Sequence, residues 1–138
     1  MDRTMHFGCT LPNRGESVSV GRIRRLAQAA ESLGFDSVWV SDHVVIPDSI
    51  APLYPYSDSG VLPFDGDYPY CEQLTTLAYL AGVTDRIGLG THVLVLPYRN
   101  PVLAAKMIAT LDFISVGRVI LGVGAGWMEE EFQALNSP

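Results

Sequence analysis

The stretch "RIGLGTHVLVLPYRNP", residues 86–101, decides how the chain is read. Ile87 to Leu96 forms a nearly unbroken apolar run that ends at Pro97. Asn100-Pro101 then marks a helix start, because Asn caps the first turn and Pro fills the first helical position without losing a hydrogen bond. A strand that is apolar on both faces and feeds directly into a helix belongs to a parallel sheet covered by helices. The Gly-Thr-His step at 90–92 interrupts that strand and calls for an explanation of its own.

The same rhythm extends in both directions. "MHFGCTL" (5–11) is a short apolar run closed by Pro12 and suits a buried strand. From Ser19 the period becomes helical, with Val20, Ile23, Leu26, Ala27, Ala30 and Leu33 on one stripe. Ser17 or Ser19 can cap this helix and Gly34 can stop it. "SVWVS" (37–41) predicts a second strand, "EQLTTLAYLAGV" (72–83) a helix, and residues 87–96 the third strand. The helix from Asn100 through Ile114 is apolar nearly all round, which predicts heavy burial. Gly117 ends it, "RVILGVG" (118–124) is a fourth strand, and "MEEEFQALN" begins another helix. Four apolar strands alternating with helices predict an α/β fold of parallel βα units.

One segment departs from this rhythm. Residues 43–70 hold five of the nine prolines (Pro47, Pro52, Pro55, Pro63, Pro69) together with Tyr54, Tyr56, Phe64, Tyr68 and Tyr70. A loop this long without periodicity is functional or disordered, and its aromatics argue for a folded lid over a binding mouth. A packing insertion is the alternative.

Composition narrows the function. With 138 residues, 48% hydrophobic and 17% charged, the chain has the make-up of one globular domain. A net charge of −6 with nine scattered Lys and Arg gives no footprint for nucleic acid or anionic membrane. No apolar run reaches a membrane span and no signal peptide opens the chain, so a cytoplasmic location is expected. Cys9 and Cys71 lack metal or redox spacing and read as two free buried thiols. His6, His43 and His92 show neither HxH nor HExxH spacing, so no metal site is expected.

Ligands of parallel βα folds bind where the strands' carboxyl ends meet their loops. Four such ends are legible: Leu11-Pro12-Asn13, Ser41-Asp42-His43, His92 to Tyr98, and Gly124-Ala125-Gly126-Trp127. At the second, His43 can move a proton near neutral pH or polarise an oxygen, or it is simply a satisfied polar group. "LGVGAGW" (121–127) fails as a dinucleotide fingerprint because Trp127 stands where a third glycine belongs. It still suits close approach of backbone to a flat ligand, or a tight turn alone. "EEE" (129–131) reads as the acidic first turn of a helix, with no catalytic role.

Together, "MHFGCTLP", "AESLGFDSVWVSDHV" and "RIGLGTHVLVLPYRNPVLAAKMIATLDFISVGRVILGVGAGW" resemble the bacterial luciferase-like family of flavin and deazaflavin oxidoreductases. The wording of "LGTHVLVLPYRNP" and "GRVILGVGAGWMEEEF" is most similar to members that use coenzyme F420. The resemblance implies a TIM barrel with a flat redox ring at the carboxyl end of its strands. It places a non-prolyl cis peptide between His92 and Val93, forming a bulge that props the ring, and so accounts for the interrupted strand. It also implies a catalytic role for His43 and cofactor contacts from Asp42, Thr91, His92, Val93 and Gly124 to Trp127. Sugar-phosphate dehydrogenases of the family carry an acidic residue where Trp127 stands, so the resemblance does not carry their substrate or acid catalyst over to this position.

A (β/α)₈ barrel needs about 250 residues, so residues 1–138 are expected to form its N-terminal half, four βα units with an aromatic loop at 43–70. Such a half exposes strand edges and an apolar inner face. It is expected to form a homo-oligomer, to pair with a separate second half, or to be a piece of a longer protein. Three functions stand side by side: F420-dependent hydride transfer to or from a small organic molecule, FMN-dependent oxygenation using molecular oxygen, and a non-catalytic half barrel acting in assembly.

Overall fold

The computed structural model describes residues 5–48, 50, 54–55, 57–61 and 67–137. Tyr56, Phe64, Pro52 and Pro63 of the aromatic segment lie outside these. Four strands, β1 (Gly8–Thr10), β2 (Ser37–Val40), β3 (Gly88–Val95) and β4 (Val119–Gly124), alternate with helices α1 (Val20–Ser32), α2 (Gln73–Ala81), α3 (Pro101–Ser115) and α4 (Glu129–Ala134). The strands pair in the order β1-β2-β3-β4, all parallel. This is the arrangement of four consecutive units of a (β/α)₈ barrel.

Local signals act where the residues place them. The Ser19 hydroxyl accepts from the Arg22 N–H and opens α1. Asn100 accepts from the Val102 and Leu103 N–H groups, with Pro101 in the first turn of α3. β1 is shorter than the apolar run around it, and α1 buries only Ile23, Ala27 and Ala30 of its stripe while Leu33 is exposed.

The core lies between the outer face of the sheet and α1 to α3. Val38, Val40, Leu89 and Leu94 from the strands meet Ile23, Ala27, Leu74, Leu77, Leu80 and Leu111 from the helices. On the other face of the sheet the largest side chain is that of Trp39, half-buried. Trp39 spreads over glycines of the neighbouring strands: a Cβ on Gly8 would stand 2.3 Å from its indole nitrogen, and one on Gly90 2.3 Å from its six-membered ring. The indole N–H is anchored by Ser37 Oγ at 2.9 Å. Gly90→Ala should therefore lower stability by about 1–3 kcal/mol, read as a drop in thermal melting temperature. A melting temperature equal to wild type would mean that Trp39 can leave this seat freely.

Helix α3 departs from expectation. Its apolar composition predicts heavy burial, yet only Ala104, Leu111 and Ser115 are buried, while Val102, Phe113 and Ile114 are exposed. The helix packs one side onto α2 and β4, and no further unit among the described residues covers the other. β4 likewise leaves Ile120, Leu121 and Val123 open, so residues of both its faces are exposed. No helix among the described residues is long and apolar enough to cross a membrane.

Candidate functional site

The carboxyl ends of the strands converge on a cleft of ≈ 400 Å³. Every βα connection contributes to it. Arg14 comes from the turn after β1, Ser41-Asp42-His43 from the end of β2, His92, Val93 and Val95 from β3, and Gly124 to Trp127 from the turn after β4. Tyr54 and Tyr70 of the long segment complete the wall, so its described part does border the mouth.

The backbone of β3 gives this end its shape. Pairing with β4 shifts register between Thr91 and Leu94, and the His92–Val93 peptide is cis, as the resemblance implies. Gln73, fully buried, donates from Nε2 to the Val40 carbonyl at 2.7 Å and to the Val93 carbonyl at 3.4 Å, fixing the bulge from the helix side. Across from it, Gly124 allows close approach, because a Cβ there would meet Val93 Cγ2 at 2.4 Å. Gly126 adopts φ 86°, and a Cβ on it would strike the Phe132 ring. Packing on Val93 and on Phe132 and Val95 thus requires glycine at 124 and 126, and the backbone of this turn lines the cleft.

His43 sits at the inner wall with its side chain only 9% exposed. Its Nδ1 lies 2.6 Å from Oε2 of Glu131, a residue with no exposed surface. Tyr70 meets the imidazole edge-on at 5.5 Å between ring centroids, Trp127 does so at 6.3 Å, and Tyr54 leans on Trp127 at 5.5 Å. The Tyr70 hydroxyl donates to Ser41 Oγ at 2.7 Å, and burial pushes its phenol pKa up. Asn13, buried at the end of β1, holds Ser41 in turn: its amide donates to the Ser41 and Cys71 carbonyls, and its oxygen accepts from Ser41.

Asp42 lines the cleft and is also the centre of an ion pair. Its carboxylate accepts both terminal nitrogens of Arg99, at 2.7 and 2.8 Å, and the Val95 N–H at 3.0 Å. Arg99 reaches on to Glu72 at 2.9 Å, whose other oxygen caps α2 through the Thr75 N–H. Burial opposes the charge on Arg99, but its bonds to Asp42 and then Glu72 hold its pKa above the ordinary value. Asp42 therefore borders the cleft while its oxygens brace the ends of β2 and β3. Thr91 stands apart from the cleft: it is buried, and its hydroxyl donates to the Gly122 carbonyl and accepts from the Gly122 N–H. His6 is at the other end of the sheet, paired with Asp36 at 3.2 Å. Cys9 and Cys71 are free and half-buried.

Two residues of the site escape a reading by pattern: Arg99, which lies between the strand end at Tyr98 and the helix start at Asn100, and Glu131, one of three consecutive glutamates. Asn13 stands at a strand end that the sequence does mark. Burial would push the Glu131 pKa up, but its bonds from His43 and from the Val45 and Val44 N–H groups outweigh this and hold it below the usual carboxylate range. The phenol of Tyr98 is pushed up by burial and then by the nearby charge of Glu131. No signal in the run "EEE" separates Glu131 from its neighbours; only the way α4 lies on the sheet does so.

The model of a family described as luciferase-like monooxygenase matches residues 5–138. An uncharacterized protein of Mycobacterium tuberculosis is 35% identical over 127 residues, covering 92% of this chain and 44% of that protein. The F420-dependent glucose-6-phosphate dehydrogenase of Kineococcus radiotolerans is 37% identical over 112 residues, 80% of this chain and 28% of the dehydrogenase. Among solved structures, a monooxygenase from Streptomyces bottropensis superposes with a TM-score of 0.72 at 28% identity, over 97% of this chain and 37% of the other. The chain spans less than half the length of each.

Proposed function

The chain belongs to the luciferase-like monooxygenase family, and from that premise we propose that it forms the cleft of an F420-dependent oxidoreductase acting on a small organic substrate. The observation that carries this reading is the convergence of His43, the bulge at His92–Val93 and the glycine turn at 124–126 on one aromatic-walled cleft. Its likeness to an F420-dependent dehydrogenase supports the choice of deazaflavin.

The donor set fits a flat, partly apolar ring. Val93 and the 92–93 backbone offer a wall behind it, the 124–126 backbone a close edge, and Trp127 and Tyr70 an aromatic boundary. A deazaflavin supplies hydride chemistry at its central ring carbon and reacts poorly with oxygen. The chain's own contribution is to exclude water with Tyr54, Tyr70 and Trp127 and to hold a proton at His43 beside the reacting substrate. Asp42 and Arg99 keep the strand ends in register beneath them. Trp127 gives the substrate end an apolar wall, which favours an uncharged or flat molecule over a sugar phosphate. FMN-dependent oxygenation is the second reading, favoured by the structural likeness to a monooxygenase.

The test is titration of the purified chain with F420 and with FMN, followed by fluorescence, alongside light scattering. Saturable binding of F420 by a particle of defined size is expected. Preferential FMN binding moves the reading to the monooxygenase. A well-folded particle that binds neither overturns it.

A further inference from the structure

We propose that Glu131 is the positioning residue of the site, fixing which nitrogen of His43 carries the proton and clamping the root of the aromatic segment with the same carboxylate. Its meaning for catalysis rests on His43 being the proton-handling group; the geometry behind it does not.

The argument starts with how α4 is seated. Met128, just before the helix, is fully buried, and Phe132 packs edge-on against Tyr98 with centroids 5.0 Å apart. These two anchors fix the rotation of a helix of six residues, less than two turns. Glu131, next to Phe132, is thereby turned inward while Glu129 is exposed. A carboxylate without solvent must find donors for both oxygens. Oε1 accepts from the Val44 N–H at 2.6 Å and from the Val45 N–H at 3.0 Å. Oε2 faces His43 Nδ1 at 2.6 Å.

An ionised carboxylate only accepts hydrogen bonds. Nδ1 must therefore be the donor, whether His43 is neutral or charged. In the neutral ring this leaves the proton off Nε2, the nitrogen that can then take one up. Tyr70 from the long segment and Trp127 from the turn before α4 also face the ring, and both meet it edge-on. Residues 44 and 45, held through Oε1, are where the long aromatic segment leaves the sheet. One side chain from the fourth βα unit thus sets both the protonation geometry of the second unit's histidine and the departure of the loop beside it.

The test uses histidine labelled with ¹⁵N, in a chain with three histidines, and needs no cofactor. Long-range proton–nitrogen correlations at alkaline pH report which ring nitrogen is protonated, and the His43 signals are identified by their loss in His43→Gln. Wild type is expected to show Nδ1 protonated and Nε2 bare. In Glu131→Gln the amide oxygen keeps the two backbone donors and the NH₂ turns to the ring, so the pattern should invert to Nε2 protonated. Hydrogen exchange at Val44 and Val45 should stay slow in Glu131→Gln and quicken at least about tenfold in Glu131→Ala. A wild type protonated on Nε2, or the same tautomer in wild type and Glu131→Gln, overturns the proposal. Failure of F420 and FMN to bind would leave this result standing, so the two readings fail separately.

Discussion

Replacing His43 with alanine is expected to lower turnover of a catalytically active preparation by about 10²–10⁴-fold, the usual contribution of a positioned acid or base, while the fold survives. Survival follows from what is left behind. Glu131 loses one donor but keeps the Val44 and Val45 N–H groups, and the space vacated borders the cleft, so water can enter and satisfy Oε2. The cost in stability is about 1–3 kcal/mol. His43→Gln separates the two effects, since its amide can still donate to Glu131 but cannot carry a proton. Both variants should show wild-type circular dichroism and equally depressed turnover. Unchanged turnover in either would reduce His43 to a shape-filling residue, and the aromatic walls would then have to account for reactivity by orientation alone.

The sequence made the βα rhythm legible because each unit announces itself by period and punctuation. Ser19, Asn100-Pro101 and the glycines at 34 and 117 act locally, and local signals survive folding. The strand ends were legible for the same reason, so His43, Val93 and the 124–127 turn were found at the cleft. The family likeness placed the irregularity at His92–Val93, which no propensity would have done.

Other features depend on relations across the sheet. That Asp42 pairs with Arg99 depends on a residue 57 positions away. Whether Glu131 faces solvent or His43 is decided by the seating of Met128 and Phe132. Thr91 sits in the right strand, but the register shift spends its hydroxyl on Gly122. The overestimate of burial in α3 has a similar origin: an apolar helix reports what it needs to bury and not which neighbour supplies the surface.

The ion pair beneath the cleft carries the second large effect: Asp42→Ala is expected to lower stability by about 3–5 kcal/mol, as breaking a buried pair from one side does. Asp42 has no exposed side-chain surface and Arg99 is only 11% exposed. Without the carboxylate, the guanidinium keeps Glu72 alone, itself 34% exposed, and the Val95 N–H loses its acceptor. The change also reaches the site, because Val95 anchors the end of β3 just beyond the bulge. Affinity for the proposed cofactor should therefore fall along with the melting temperature. Removing both charges is a different matter, since two apolar groups leave no stranded ion. Asp42→Leu combined with Arg99→Met should destabilise less than Asp42→Ala alone, measured by urea unfolding with unchanged m-value. If the double variant is the worse of the two, the pair stabilises the fold by its own attraction. The strand ends would then be held by electrostatics and not by the need to keep buried charges matched.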